Sequence, residues 1–202
     1  DLLRMNTGQE TEPPRPPKSS RDSASAAKQR LDQGVDWDYC GPRRQPGNFG
    51  DPGDGGRAPV DISADGADLW REREVGVFTG GVQVQQGGKA VDAEWLRYDR
   101  KTDQVEASGD VWLQESGLRV AGEEASFELG AKRGRVEPAE FRLTRVPARG
   151  RADSGQILDP QHAHFDNIEF TTCRPGQNHW SLQAGELDID TQAVAGGDVA
   201  QR

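Results

Sequence analysis

Gly81-Val82-Gln83-Val84-Gln85 and Asp110-Val111-Trp112-Leu113 decide the fold of this chain. In each stretch apolar residues fall on every second position, which places them on one face of a β-strand. Val82 and Val84 recur as Val111 and Leu113, 29 positions further on. At the same offset Val91, Ala93, Leu96 and Tyr98 match Val120, Gly122, Ala125 and Phe127. An offset of 30 carries Val111, Leu113, Ala125 and Phe127 onto Phe141, Leu143, Gly155 and Ile157, and a further 30 carries Ala152 and Ile157 onto Leu182 and Leu187. One strand-turn-strand unit therefore repeats about four times. A fixed period of this size predicts stacked units that bury one another's apolar faces.

Other short runs fit the same reading: Val75-Gly76-Val77-Phe78, Asn167-Ile168-Glu169-Phe170 and Glu186-Leu187-Asp188-Ile189-Asp190. Gly-rich and charged turns separate them. Residues 58–202 are expected to form an all-β, two-sheet stack of antiparallel strands with a jellyroll-like twist and no long helix. Residues 1–36 read as a disordered Pro/Ser-rich segment. Pro13-Pro14-Arg15-Pro16-Pro17 favours polyproline II and serves as a spacer or, alternatively, as a ligand for an SH3-like groove. A short, weak helix is foreseen at Ala24 to Leu31. Residues 37–57 read as a Cys-bearing Gly/Pro-rich linker.

Composition narrows the function. Hydrophobic residues make up 33% of the 202, with 25 Gly and 12 Pro, sparse for a thick globule and suited to a thin, turn-rich β structure. A net charge of −9 with scattered Lys and Arg argues against a nucleic-acid partner. No apolar run approaches the roughly 20 residues of a membrane-spanning helix. Starting at Asp1, the chain reads as a processed form or a fragment. Cys40 and Cys173 fit neither a zinc nor a C-x-x-C pattern. They remain open as buried thiols, one long-range disulfide, or half-cystines with partners elsewhere.

No catalytic constellation emerges, and neither a cofactor nor a metal is expected. Gly81 to Lys89 lacks the P-loop spacing. His162 and His164 share a strand face, with His179 possible beside them, and read as exposed histidines rather than ligands. Glu123-Glu124 and Asp188/Asp190 read as the wet face of strands, since nothing sets two carboxyls across a cleft.

The Ala/Gly-x-x-hydrophobic steps and Gly-Asp-Val turns of the repeat resemble the OstA-type repeat of the lipopolysaccharide-transport families LptA and LptC and of the N-terminal periplasmic domain of the LptD family. Trp37-Asp38-Tyr39-Cys40 is similar to a Trp-x-x-Cys segment near the mature N-terminus of the LptD family. Phe170-Thr171-Thr172-Cys173-Arg174-Pro175-Gly176 through Trp180 is similar to its Tyr-Thr-Thr-Cys-x-Pro-Gly segment. The resemblance covers residues 37–202. It implies an OstA/LptA-like β-jellyroll in the periplasm of a Gram-negative envelope that stacks on an LptA-like bridge protein by β-strand addition. Such a domain accepts lipopolysaccharide and feeds an outer-membrane barrel plugged by the lipoprotein LptE. Cys40 and Cys173 are then expected in disulfides to cysteines of that barrel. An LptA/LptC-like bridge, a purely structural β scaffold and a carbohydrate-active β-solenoid are the alternatives.

Two surfaces follow from this reading. Val82, Val84, Val111, Leu113, Phe127 and Phe141 are expected to line a groove between the sheets, where acyl chains gain about 25 cal/mol per Å² of buried apolar surface. Val60, Ile62, Val75, Val77 and Phe78 are expected to form the N-terminal docking edge for the LptA-like partner, through unpaired strand backbone.

Overall fold

The computed structural model describes residues 3–5, 13, 14, 16, 24–37, 59–115, 117–144, 147–159 and 161–190. Among them run one helix, α1 (Ala24–Leu31), and thirteen strands. The strands are β1 (Leu3–Met5), β2 (Val60–Ser63), β3 (Gly66–Trp70), β4 (Val75–Gln86), β5 (Lys89–Asp99), β6 (Gln104–Glu115), β7 (Leu118–Glu128), β8 (Arg133–Glu137), β9 (Ala139–Leu143), β10 (Ala148–Ala152), β11 (Ser154–Asp159), β12 (His162–Thr171) and β13 (Leu182–Asp190). No helix among them is long and apolar enough to cross a membrane.

The repeat is a β-hairpin. Adding 29 to the bounds of β4 and β5 gives those of β6 and β7. The third unit consists of β8 and β9 followed by β10 and β11, and the fourth of β12 and β13. Pro138, which has no N–H to donate, interrupts the third unit's first strand between β8 and β9. Each strand pairs antiparallel with the next unit along, so all thirteen belong to one sheet; β1 alone joins in parallel, beside β3. Two separate sheets were expected. One continuous sheet forms instead, and a crease divides every long strand into two halves.

Bulges make the crease. Register shifts fall between Thr79 and Val82, Asp92 and Trp95, and Ser108 and Val111, each an extra residue that bends its strand. Gly80 and Gly109 sit there at φ +75° and +78°, and a Cβ on either would lie within 3 Å of the Cβ of Asp65 or Glu94. Only glycine fits both the backbone and the space.

Directly opposite residues in adjacent strands share a face. One such row runs Ile62, Val84, Val91, Leu113, Val120, Phe141, Gly150, Phe170, Leu182 across the whole sheet. A parallel row on the other side of the crease carries Phe78, Leu96, Ala107, Ala125, Val136, Gly155, Phe165 and Leu187. Both halves contribute to one core, in which Ala107, Ala125 and Val136 pack with Ala93, Val111 and Ala139.

The weak helix foreseen at Ala24 to Leu31 does form. The expectation of disorder over 1–36 therefore does not hold for this part of the segment. Ala27 and Leu31, one helical turn apart, are buried against Trp112 and Ala121 on the sheet's outer face. Asp32 pairs with Arg142 at 2.5 Å, Lys28 with Glu140 at 2.6 Å, and Arg30 with Asp92. The Arg30 guanidinium also lies 3.8 Å above the Trp112 ring. Asp110, on the crease, accepts the Ala27 N–H at 3.2 Å. Burial of this apolar stripe stabilises a helix too short to hold by itself.

Candidate functional site: an apolar inner face and two strand edges

All six residues expected to line the groove lie on the inner face. Val84, Leu113 and Phe141 share the first row described above, and Val82 pairs with Ala93 and Val111 with Gly122 one step nearer the crease. Phe127 lies beyond the crease, opposite Val105 and Gly134. Their accessibility differs. Val82 and Val111 are 0% exposed, because the two halves of the sheet meet over them, so they are packing core. Val84, Leu113 and Phe127 are half-buried and present surface.

An aromatic cluster closes the inner face toward the C-terminal units. Phe141 stands 5.5 Å from Phe165 and 6.5 Å from Phe170, centroid to centroid, and Phe170 meets Trp180 edge-on at 6.1 Å. Phe141 and Phe165 come from opposite sides of the crease, so their contact joins the two halves. The Phe141 ring lies over Gly150, where a Cβ would come within 2.3 Å of its Cζ. Phe165 and Phe170 were not anticipated as inner-face residues. Their period-two placement with Ile168 is interrupted by Asn167 at φ +49°, which hides the shared face in the sequence.

The docking edge needs correction. β4 pairs with β5 on one side and with β2 and β3 on the other, so Val75, Val77 and Phe78 belong to an interior strand. Phe78 points to the inner face, and a proline at Val77 would break a central ladder rather than an edge. β3 is bordered in turn by β1. That leaves two strands on this side with no outer partner among the described residues: β1, paired to β3 alone, and β2, with Val60 53% and Ile62 44% exposed. β13 holds the same position at the other end, paired to β12 alone.

Cys40 lies outside the described residues. Cys173 has no disulfide partner among the described residues and sits in a loop tied down by Arg149, which donates to the Cys173 carbonyl at 3.0 Å, the Gln177 carbonyl at 2.9 Å and Asn178 Oδ1 at 2.6 Å. Hydrogen bonding by Thr171, then by the Trp180 backbone, holds the thiol below its usual pKa, favouring the thiolate that disulfide exchange requires.

The remaining candidates resolve into structure. Gly81 to Lys89 is the end of β4 and the hairpin turn into β5, with Gly87 at φ +59°. His162 and His164 do share a face, but they engage carboxylates: His162 with Asp159 at 2.7 Å, and His164 with Asp188 at 2.7 Å and Asp166 at 3.2 Å. No group of three or more metal-ligating side chains converges among the described residues. A cleft of about 660 Å³ between α1 and β13 is lined by the paired charges Lys28–Glu140 and Arg151–Glu169 and also by Ala139, Ala152 and Ile168 of the core.

A creased antiparallel sheet of repeated hairpins, apolar on its inner face and open at both edge strands, defines the class: a β-jellyroll of stacked antiparallel strands. No family model matches the chain. It is similar to the LPS-assembly proteins LptD of Methylococcus capsulatus (30% identical, covering 69% of this chain and 14% of that protein), of Nitrosococcus oceani (32%, covering 79% and 22%) and of Alkalilimnicola ehrlichii (34%, covering 59% and 16%). The resemblance to the N-terminal domain of the LptD family read from the sequence is thereby borne out. The chain spans only 14% to 22% of the length of these relatives. Among solved structures it is similar to LptH of Pseudomonas aeruginosa, described as the LptA-homologous periplasmic component of a lipopolysaccharide transport device. The TM-score there is 0.45 at 16% identity, covering 50% of this chain and 76% of that one.

Proposed function

We propose that this chain is the periplasmic domain of an outer-membrane LPS-assembly protein. It receives lipopolysaccharide from an LptA-like bridge and passes it to a barrel associated with an LptE-like lipoprotein. The observation that carries this reading is the uninterrupted apolar row from Ile62 to Leu182, which links the two open edges across every unit of the sheet. Acyl chains moving along it stay in contact with apolar surface, while sugars and phosphates remain in water. Exposed Val60 and Ile62 on β2 suit strand addition from the bridge protein. Cys40 and Cys173 are assigned to disulfides with cysteines outside this chain, in keeping with an oxidising compartment.

The zero exposure of Val82 and Val111 favours a second reading, a scaffold whose interior only packs against itself. Photo-crosslinking separates the two. A crosslinking amino acid at Leu113 or Phe127 in the full-length protein should capture lipopolysaccharide in cells, and one at outward Gln83 should not. Equal capture from both faces, or none from the inner one, leaves the scaffold.

A further inference from the structure

We propose that the sheet edge formed by residues 60–70 docks the bridge protein as one continuous strand, and that β1 is a removable cap over half of it, a regulatory contact that rests on the docking function proposed above. β2 and β3 are two halves of a single edge strand. Val60 to Ser63 pair with Gln86 to Gln83, and Gly66 to Trp70 pair with Thr79 to Val75, so both run antiparallel to β4 in the same direction. Between them the Asp65 N–H donates to the Gly80 carbonyl at 2.9 Å, which carries the pairing through the crease. Ile62 and Leu69 stand on the inner face opposite Val84 and Gly76, and they are 44% and 38% exposed. The apolar face therefore runs out to this edge on both sides of the crease. A partner strand that paired with the whole edge would continue both walls of the groove, whereas one that paired with β2 alone would continue a single wall.

β1 stands in the way. It lies along the outer side of β3 in parallel, with Leu3 opposite Ala67, Arg4 opposite Asp68 and Met5 opposite Leu69. With β1 seated, the four residues of β2 are what this edge strand leaves open among the described residues, fewer than the roughly five to six of an ordinary strand. Three features make β1 removable. It is three residues long. Its pairing is parallel, the slightly weaker arrangement. And β3 is its one strand neighbour among the described residues. A partner strand lying along 60–70 would exchange this short pairing for one that spans both halves of the edge. Until then β1 shields β3 backbone that would otherwise pair with any passing strand.

The test uses the whole chain and two variants. In the first, Leu3→Pro, Arg4→Pro and Met5→Pro together strip β1 of its N–H donors. The β3 amides that face β1 should then exchange about tenfold faster or more in the free chain, while β4 amides stay unchanged and report that the sheet is folded. Equal β3 exchange in wild type and variant overturns the cap. Binding of the purified LptA-like bridge protein of the same organism is measured next. The proline variant should bind about three- to tenfold more tightly than wild type, the ratio expected of a cap closed for roughly two-thirds to nine-tenths of the time. The second variant, Arg4→Cys with Asp68→Cys in a Cys40→Ser, Cys173→Ser background, joins two directly opposite residues. Oxidised, it should bind the bridge protein about tenfold more weakly or worse than the same protein reduced. Equal binding by wild type and proline variant, and by the oxidised and reduced forms, overturns the cap and leaves docking on β2 standing. Weaker binding by the proline variant makes β1 itself the docking strand and overturns the cap as well. No binding by any form removes the docking function, and the cap's role with it.

Discussion

Gly150→Ala tests the seating of Phe141, the ring whose contact with Phe165 joins the two halves of the inner face. Gly150 of β10 lies opposite Phe141 of β9 and Phe170 of β12. A Cβ there would fall 2.3 Å from Phe141 Cζ, 2.7 Å from its Cε1 and 2.8 Å from the Glu169 carbonyl oxygen. The first two overlaps can be relieved if the ring rotates away, but Phe165 at 5.5 Å and Phe170 at 6.5 Å restrict it. The third involves strand backbone and cannot yield without moving β12. Overpacking of this kind costs about 1–3 kcal/mol, with roughly 2–4 °C of melting temperature lost per kcal/mol in a chain of this size. Urea unfolding of the wild type, Gly150→Ala, Phe141→Leu and the double variant gives the coupling directly. Because Leu vacates the ring's far edge, the double variant should be more stable than the sum of the single losses by about 0.5 kcal/mol or more. Additive losses, or a Gly150→Ala variant within about 0.5 kcal/mol of wild type, would refute the claim that this ring rests on that glycine.

Three further outcomes are expected. Leu31→Ala removes a fully buried side chain between α1 and Trp112 and should cost about 2–5 kcal/mol by urea unfolding, whereas a change near zero means the helix is not held on the sheet. Val60→Lys with Ile62→Lys, on exposed positions of β2, should leave stability within about 0.5 kcal/mol and weaken binding of the LptA-like partner in a pull-down; unchanged binding puts the docking edge elsewhere. Side-chain hydrogen bonds to Asp159 and Asp188 raise the pKa of His162 and His164 above the ordinary 6.5. A raised folded-state pKa gives stabilisation that is complete below 6.5 and is lost as pH rises through the folded value. The cross-strand pairs His162↔Asp190 and His164↔Asp188 should therefore make β13 amides exchange faster at pH 8 than at pH 6, after correction for intrinsic rates. His162→Gln with His164→Gln should abolish the difference, and a difference that survives in that variant assigns it to other groups.

The hairpin period was readable in the sequence because each unit must show the same apolar positions to its neighbours. The offsets of 29 and 30 residues map strand onto strand with bounds that coincide in the first two units. Alternation likewise places Val84, Leu113 and Phe141 in one row. What alternation cannot carry is parity across a bulge. In β5 the inner residues are Val91 and Ala93 on one side of the crease and Leu96 and Tyr98 on the other. Unbroken alternation from Ala93 would have turned Trp95 inward, but the register shift between Asp92 and Trp95 turns it out. The docking edge was misjudged for a related reason: pairing partners depend on non-local contacts, and only the assembled sheet shows that β2 and β3 cover β4. The helix Ala24–Leu31 was marginal as a peptide and became stable through Leu31, Asp32 and Arg30 meeting Trp112, Arg142 and Asp92. Local pattern thus determined which residues are strands and which face is apolar. Long-range packing decided where those strands bend, which edges stay open and what covers the outer face, because these depend on energies shared between residues distant along the chain.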